Sequence, residues 1–209
     1  MLRVELEAWG DSKPTANMEQ LRARLEVYPD GQFVGVLGGK MVGICNSMLL
    51  ENFTLDTPMP TWNEVTSNGY LRGKHSDKGD VVYGLNISIT PDSPPGAGLR
   101  VLVGLASMAV ERGMRMIIAA SRIPDYEQYK DQYTPDEYIR LKNEKGRSLD
   151  SHLRFYNRIV GLKIERVLPG YMPDPPSCDN GVLVVWKNFF RPFPHFTHKY
   201  LAKLVRLLV

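Results

Sequence analysis

Gly96-Ala97-Gly98 lies between the alternating run GLNISIT and the apolar run LRVLVGLASMAV. A glycine turn that opens a helix presents backbone N–H groups at the positive end of the helix dipole, an arrangement that attracts an anion, phosphate above all. Pro94 and Pro95 carry no N–H, so the donors begin at Gly96, and Gly96, Ala97, Gly98, Leu99 and Arg100 form the candidate cradle. A dinucleotide fingerprint would need a glycine where Val101 stands and an acid near Ser121 and Arg122. A P-loop would need its lysine where Leu99 and Arg100 stand. Neither motif is present, and the same turn also serves close packing of a helix on a sheet.

The elements that must hold this turn follow from periodicity. Residues 81–90 alternate Leu85, Ile87 and Ile89 with Asn86, Ser88 and Thr90, which predicts a strand with one apolar and one polar face. A helix over Leu99 to Arg112 and a short buried strand, MRMIIAA at 114–120, complete a strand–helix–strand crossover between parallel strands. Upstream, Met18, Leu21 and Leu25 predict a helix over 17–27, ended by Tyr28-Pro29-Asp30-Gly31. QFVGVL and KMVGICNSMLL around Gly38-Gly39 predict a hairpin, followed by a loop over 51–79. Downstream, Thr134-Pro135 with Glu137 opens a helix over 134–145 by a capping box, and a second short helix runs over 149–159 to Gly161. Strands LKIERVL and GVLVVWK close the pattern around the proline-rich loop PGYMPDPPSCDN.

At 209 residues, 43% of them hydrophobic and 23% charged, the chain has the size and composition of one domain with a sizeable core. It has no apolar run of the ~20 residues that span a bilayer, and its start does not read as a signal peptide; the expectation is a soluble, cytoplasmic protein. Cys45 and Cys178 stand outside any metal-ligand spacing, so plain thiols and no metal are expected. The net charge of +3 is uneven. No Asp or Glu follows Asp179, whereas Lys187, Arg191, Lys199, Lys203 and Arg206 do, so removing those five cations leaves residues 1–179 at −2. With no basic stripe elsewhere, no nucleic-acid partner is expected.

The order of hairpin, long loop, alternating strand, glycine turn, helix, strand, helix and two further strands resembles the GNAT acetyltransferase superfamily. That family's pyrophosphate loop follows a strand ending in x-x-Pro, here Ile89-Thr90-Pro91. Its pattern of Gln or Arg, two residues, Gly, one residue, Gly or Ala is met by Ser93-Pro94-Pro95-Gly96-Ala97-Gly98, with Ser93 as the departure. YPDGQFVGVLGGKMVG, TWNEVTSNG, SRIPDYEQY and VLPGYMPDPPSCDNGVLVVWKN extend the resemblance to GNAT domains that accompany carbon–nitrogen hydrolases and to those of polyketide loading modules. The implied fold is α/β, a mixed central sheet flanked by helices and lacking the usual first strand, with MLRVELEAWG as the remnant of the first helix. A truncated or domain-derived chain would account for that lack.

The resemblance implies acetyl-CoA, or another short acyl-CoA, as co-substrate, with pantetheine along the strand backbone at Ile87 and Ile89 and pyrophosphate on residues 96–100. An amine then attacks the thioester directly, which calls for a base, an oxyanion donor and an acid for the leaving thiolate. Tyr156 in HLRFYNRIVGL is the implied acid, followed by Gly161-Leu162 instead of Gly-Phe and at a spacing one residue longer than the common form. His152 and Glu51 are candidate bases, and Trp62, Glu64, Asn68 and Asn86 candidate acceptor contacts, although a histidine that packs, a solvated carboxylate and a loop held by its own Thr and Asn side chains fit the same residues. The alternative chemistry implied is decarboxylation of a malonyl-type thioester on an acyl carrier protein, with Thr90 and His152 as the pair. A silent acyl-CoA-binding scaffold is the third.

Residues 1–190 read as the GNAT-like domain and 191–209 as a basic amphipathic helix. In that helix Phe196, Tyr200, Leu201, Leu204 and Leu208 form a stripe beside Lys199, Lys203 and Arg206. The stripe must be buried on its own sheet, on a second subunit or adjoining domain, or at an anionic membrane, the last placed behind the others because the stripe lacks Trp.

Overall fold

A computed structural model describes residues 1–10, 15–159 and 161–207. Helices α1 (Leu2–Trp9) and α2 (Met18–Val27) precede hairpin strands β1 (Gln32–Leu37) and β2 (Lys40–Leu50). They are followed by α3 (Trp62–Thr66), β3 (Val81–Ile89), α4 (Ala97–Glu111), β4 (Met116–Ser121), α5 (Pro135–Tyr138), α6 (Ser151–Arg154), β5 (Lys163–Leu168), β6 (Gly181–Lys187) and α7 (His195–Arg206). The six strands form a sheet in the order β1-β2-β3-β4-β6-β5, flanked by helices. Gly38 and Gly39 take φ of +55° and +77°, the double positive φ of the two-residue turn between β1 and β2.

The chain divides into two compact units. The first, Met1–Leu55, Thr66–Ile117 and Lys187–Val209, holds the antiparallel set β1, β2 and β3. Its core includes Ile44, Met48, Val82, Tyr83, Leu105 and Val110. Two expectations change here. α2 buries Leu21, Ala23 and Arg24 and leaves Met18 and Leu25 exposed, because Arg24 turns inward to hydrogen-bond partners on β2 and β3. On β3, Ser88 is buried while Ile87 and Ile89 stay half-buried, since α1 lies over the polar face there and offers Ser88 contacts from Glu5 and Trp9.

The second unit, Asp56–Val65 and Ile118–Trp186, is built on the antiparallel pair β5–β6 and a core of Ile123, Tyr126, Tyr138, Leu153, Val182 and Val184. The capping box at Thr134 and Glu137 forms as expected, but α5 ends at Tyr138 rather than running to residue 145. Asn143 is the reason: its Oδ1 accepts from the Lys145 and Arg147 amides, Gly146 takes φ of +66°, and Lys142 and Ser148 bridge across the resulting turn. The helix expected over 149–159 is α6, capped by Asp150, continued by a π-helical turn over Phe155–Ile159. A π turn absorbs one extra residue, which is what the lengthened Tyr156-to-Gly161 spacing requires.

Candidate functional site

The glycine turn is held in place from β2. Thr90 N–H donates to the Val42 carbonyl at 2.9 Å, Ser93 N–H to the Thr90 carbonyl at 3.0 Å, and the Thr90 and Ser93 hydroxyls pair at 2.9 Å. Ser93 also donates to the Val42 carbonyl at 3.3 Å. Ser93 therefore fastens the loop at the position where the family pattern has a longer polar side chain. Gly96 follows at φ +88°, capping α4 in the left-handed region, where an L side chain would be strained. Ala97 N–H donates to the Pro94 carbonyl and Arg100 N–H to the Gly96 carbonyl, each at 3.1 Å. Two members of the expected cradle are thus occupied. Gly98 and Leu99, in the first helical turn, have no carbonyl four residues back within α4, and with Gly96 they are the donors left for an anion.

Alongside this turn, β3 pairs with β2 in a register that slips between Asn46 and Ser47, so Leu85 is an extra residue between Gly84 and Asn86. Such a bulge re-aims the neighbouring backbone and side chains. Beyond it Ile87 stands opposite Cys45 and Ile89 opposite Gly43. Cys45 is buried and its thiol is pushed up to about 12 by burial, so it has no nucleophilic part to play.

Asn86 is engaged from both sides. Its Oδ1 accepts from Arg24 at 3.2 Å and its Nδ2 donates to Glu5 at 2.6 Å. Arg24 also donates to Asn46 Oδ1 at 2.7 Å and to the Gly69 carbonyl at 2.9 Å. Glu5 accepts from Ser88 Oγ at 2.9 Å, and Trp9 Nε1 donates to Ser88 Oγ at 2.7 Å. Burial lowers the Arg24 guanidinium to about 10, with Glu5 opposing that shift. Asn46 Nδ2 is buried without a partner. The sequence reading missed Arg24 and Glu5; a charged residue on the inner flank of α2, next to an Asn on β2 and another on β3, was the available signal.

Glu51 follows the end of β2 at which Leu50 pairs with Val81, eight positions from Ile89, so it lies about 26 Å along the strands from the turn. It accepts from Ser76 Oγ at 2.7 Å and is exposed. Asn68 sits in the left-handed region at φ +54°, its carbonyl accepting from Gln20 at 2.6 Å, and Thr66 Oγ1 accepts from Gly69 N–H at 2.9 Å.

In the second unit Trp62 opens α3, its N–H donating to the Tyr171 carbonyl at 2.8 Å. Glu64 reaches back to the Thr61 N–H at 2.9 Å and to its hydroxyl at 2.7 Å, closing a capping box. His152 lies in the first turn of α6, where its N–H donates to Asp150 at 2.9 Å. Tyr156 lies in the π turn, half-buried against the core of this unit, with its ring edge-on to Phe155 at 5.4 Å. The structure thus brings Ile87, Ile89, Thr90 and residues 96–100 together on one strand end and helix start. Asn86 belongs to the buried network, Glu51 to the opposite end of the hairpin, and Trp62, Glu64, His152 and Tyr156 to the second unit. Among the described residues no group of His, Cys, Asp and Glu has a metal-binding arrangement, and no helix is long and apolar enough to cross a membrane.

No protein-family model matches the chain. The uncharacterized N-acetyltransferase YkwB of Bacillus subtilis strain 168 is 28% identical over 173 residues, 82% of this chain and 75% of that protein. The crystal structure of the loading GNATL domain of CurA from Lyngbya majuscula is 29% identical, superposes with a TM-score of 0.74, and is matched over 89% of this chain and 90% of that one. The chain belongs to the GNAT superfamily. A second GNAT-like structure, the GphF decarboxylase in complex with isobutyryl-CoA, shares the fold at a TM-score of 0.70 and 20% identity, over 88% of this chain and 91% of that one. The probable hydrolase YhcX of B. subtilis strain 168 is 30% identical over 172 residues, 81% of this chain, and this GNAT domain spans only 33% of YhcX's length.

Proposed function

We propose that this GNAT protein binds acetyl-CoA or another short acyl-CoA and transfers the acyl group to an amine by direct attack. The observation that carries the reading is the head of α4: Gly96 at positive φ, Ala97 and Arg100 amides already bonded, and Gly96, Gly98 and Leu99 left to receive a pyrophosphate. Pantetheine then lies along the β3 backbone at Ile87 and Ile89, which the bulge at Leu85 sets off from the rest of the strand. The amine nitrogen forms a bond to the thioester carbonyl carbon, the C–S bond breaks, and Tyr156 protonates the departing thiolate; His152 is the candidate to accept the ammonium proton. The 28% identity to YkwB, an uncharacterized N-acetyltransferase of B. subtilis, is in keeping with this chemistry.

A second reading is favoured by the likeness to a loading domain at 29% identity and by a decarboxylase of the same fold. In it the chain removes CO2 from a malonyl-type thioester carried by an acyl carrier protein, with Thr90 and His152 attending the carboxylate. Mass spectrometry of products from acetyl-CoA with a panel of amines, from malonyl-CoA, and from malonyl carrier protein separates the two. An acylated amine with free CoA supports amine transfer. Loss of CO2 with no acylated amine replaces it by the second reading.

A further inference from the structure

The carboxyl-terminal helix does not bury the stripe that its sequence offers. α7 docks on α4 through His198, Ala202 and Val205, with Ser107 Oγ donating to the Ala202 carbonyl at 2.7 Å and Arg206 Nε to Ser107 Oγ at 3.1 Å. Phe196, Tyr200, Leu204 and Leu207 recur at spacings of four, four and three on the opposite side, and they are 73%, 57%, 57% and 78% exposed. Phe189 and Phe193, just ahead of the helix, add 64% and 54% exposed rings. Leu208, the last residue of the expected stripe, lies outside the described residues. Single exposed apolar residues are ordinary, but six large ones in one short segment mark an interaction surface.

We propose that this outer face of α7 docks on an anionic lipid surface. Charge complementarity points there: Lys199 and Lys203 are exposed along one edge of the apolar ridge, Lys199 Nζ lies 5.0 Å from the Tyr200 ring centre, and no Asp or Glu follows Asp179. A second copy of the chain is disfavoured by the same charges. Antiparallel pairing of two such ridges about a two-fold axis sets the Lys199–Lys203 edges side by side, with no Asp or Glu side chain on the helix to offset them. Shape agrees, since a convex helical ridge requires a groove cut to fit in a protein partner, whereas a bilayer interface moulds to it. Phe196, Tyr200 and Leu204 of the expected stripe are exposed rather than buried on the protein's own sheet, and the charges put the anionic surface, placed last on the sequence alone, ahead of a second subunit.

The test is co-sedimentation of the full chain with vesicles of phosphatidylglycerol and phosphatidylcholine in equal parts, against phosphatidylcholine alone. Binding to the anionic vesicles should exceed binding to the neutral ones by about tenfold or more, given the weight of each cation near an anionic surface. The variant Phe196→Ser/Tyr200→Ser/Leu204→Ser and the charge variant Lys199→Glu/Lys203→Glu should each lose that excess, and both should keep the parent's melting temperature, since they alter exposed side chains only. Absence of binding by the parent, or equal binding by both variants, overturns the proposal. A parent that sediments as a dimer without lipid, and as a monomer once the three apolar residues are replaced, assigns the face to a second copy and overturns it as well.

Discussion

Around Arg24 in the first unit, nearly every polar atom ends on another atom of the chain: guanidinium on Asn46, Asn86 and Gly69, Glu5 on Asn86 and Ser88, Ser88 on Trp9. Around Gly96, polar atoms are also plentiful, but the loop is held by hydrogen bonds at Thr90, Ser93, Ala97 and Arg100 while Gly96, Gly98 and Leu99 keep outward donors. The buried network costs desolvation that its internal bonds must offset, so its residues serve the fold. The turn stays solvated without a ligand and gives up nothing to remain open, so its residues are the ones available to bind. Polarity alone does not distinguish a site; what distinguishes it is whether the hydrogen bonds terminate inside the chain.

The largest effect that would break this comparison is on the buried side. Arg24→Ala strands Glu5, Asn46 and Asn86 and should cost about 3–5 kcal/mol in urea unfolding, while the folded fraction keeps the parent's affinity for CoA. A loss under about 1 kcal/mol, with CoA affinity reduced, would mean that Arg24 belongs to the ligand site instead.

Tyr156→Phe separates binding from chemistry. If Tyr156 is the acid of the proposed reaction, turnover with a competent amine should fall by about 100-fold, with CoA affinity in calorimetry unchanged, because only the transition state would use the hydroxyl. Unchanged turnover removes Tyr156 from the mechanism.

A buried carboxyl in the second unit carries the comparison to pH. Asp150 caps α6 and is raised chiefly by burial, with backbone donors opposing that shift. A raised folded value means that the native state holds this proton more tightly than the unfolded chain, so the group favours folding increasingly as pH falls through that value. Asp150→Asn should therefore steepen the loss of stability on acidification, read as melting temperature against pH. An unchanged slope would contradict the assigned direction.

The smallest effect is expected at a cap with no ligand to lose. Thr134→Ala should lower stability by about 1 kcal/mol, measured by thermal unfolding, with CoA binding intact.

Much of the fold was legible because its signals are local. The Gly38-Gly39 turn, the alternation before Thr90 and the capping box at Thr134 each specify backbone within a few residues. What escaped was tertiary. The inward turn of Arg24 depends on Asn46 and Asn86, which are distant in sequence, and the burial of Ser88 on the polar face of β3 depends on α1 lying over it. The glycine turn itself was legible, but the engagement of Ala97 and Arg100 was not, since it follows from where Pro94 and Gly96 direct their carbonyls. The π turn at Phe155–Ile159 was foreshadowed only by the extra residue before Gly161.

The central claim is that the head of α4 is where CoA is held, and calorimetric titration of CoA into the parent and Gly98→Asp tests it most directly. The aspartate adds bulk and negative charge beside the Gly98 and Leu99 donors, so binding should weaken by at least about tenfold with the melting temperature of the free protein little changed. A Gly98→Asp protein that is folded and binds CoA as tightly as the parent would contradict the account.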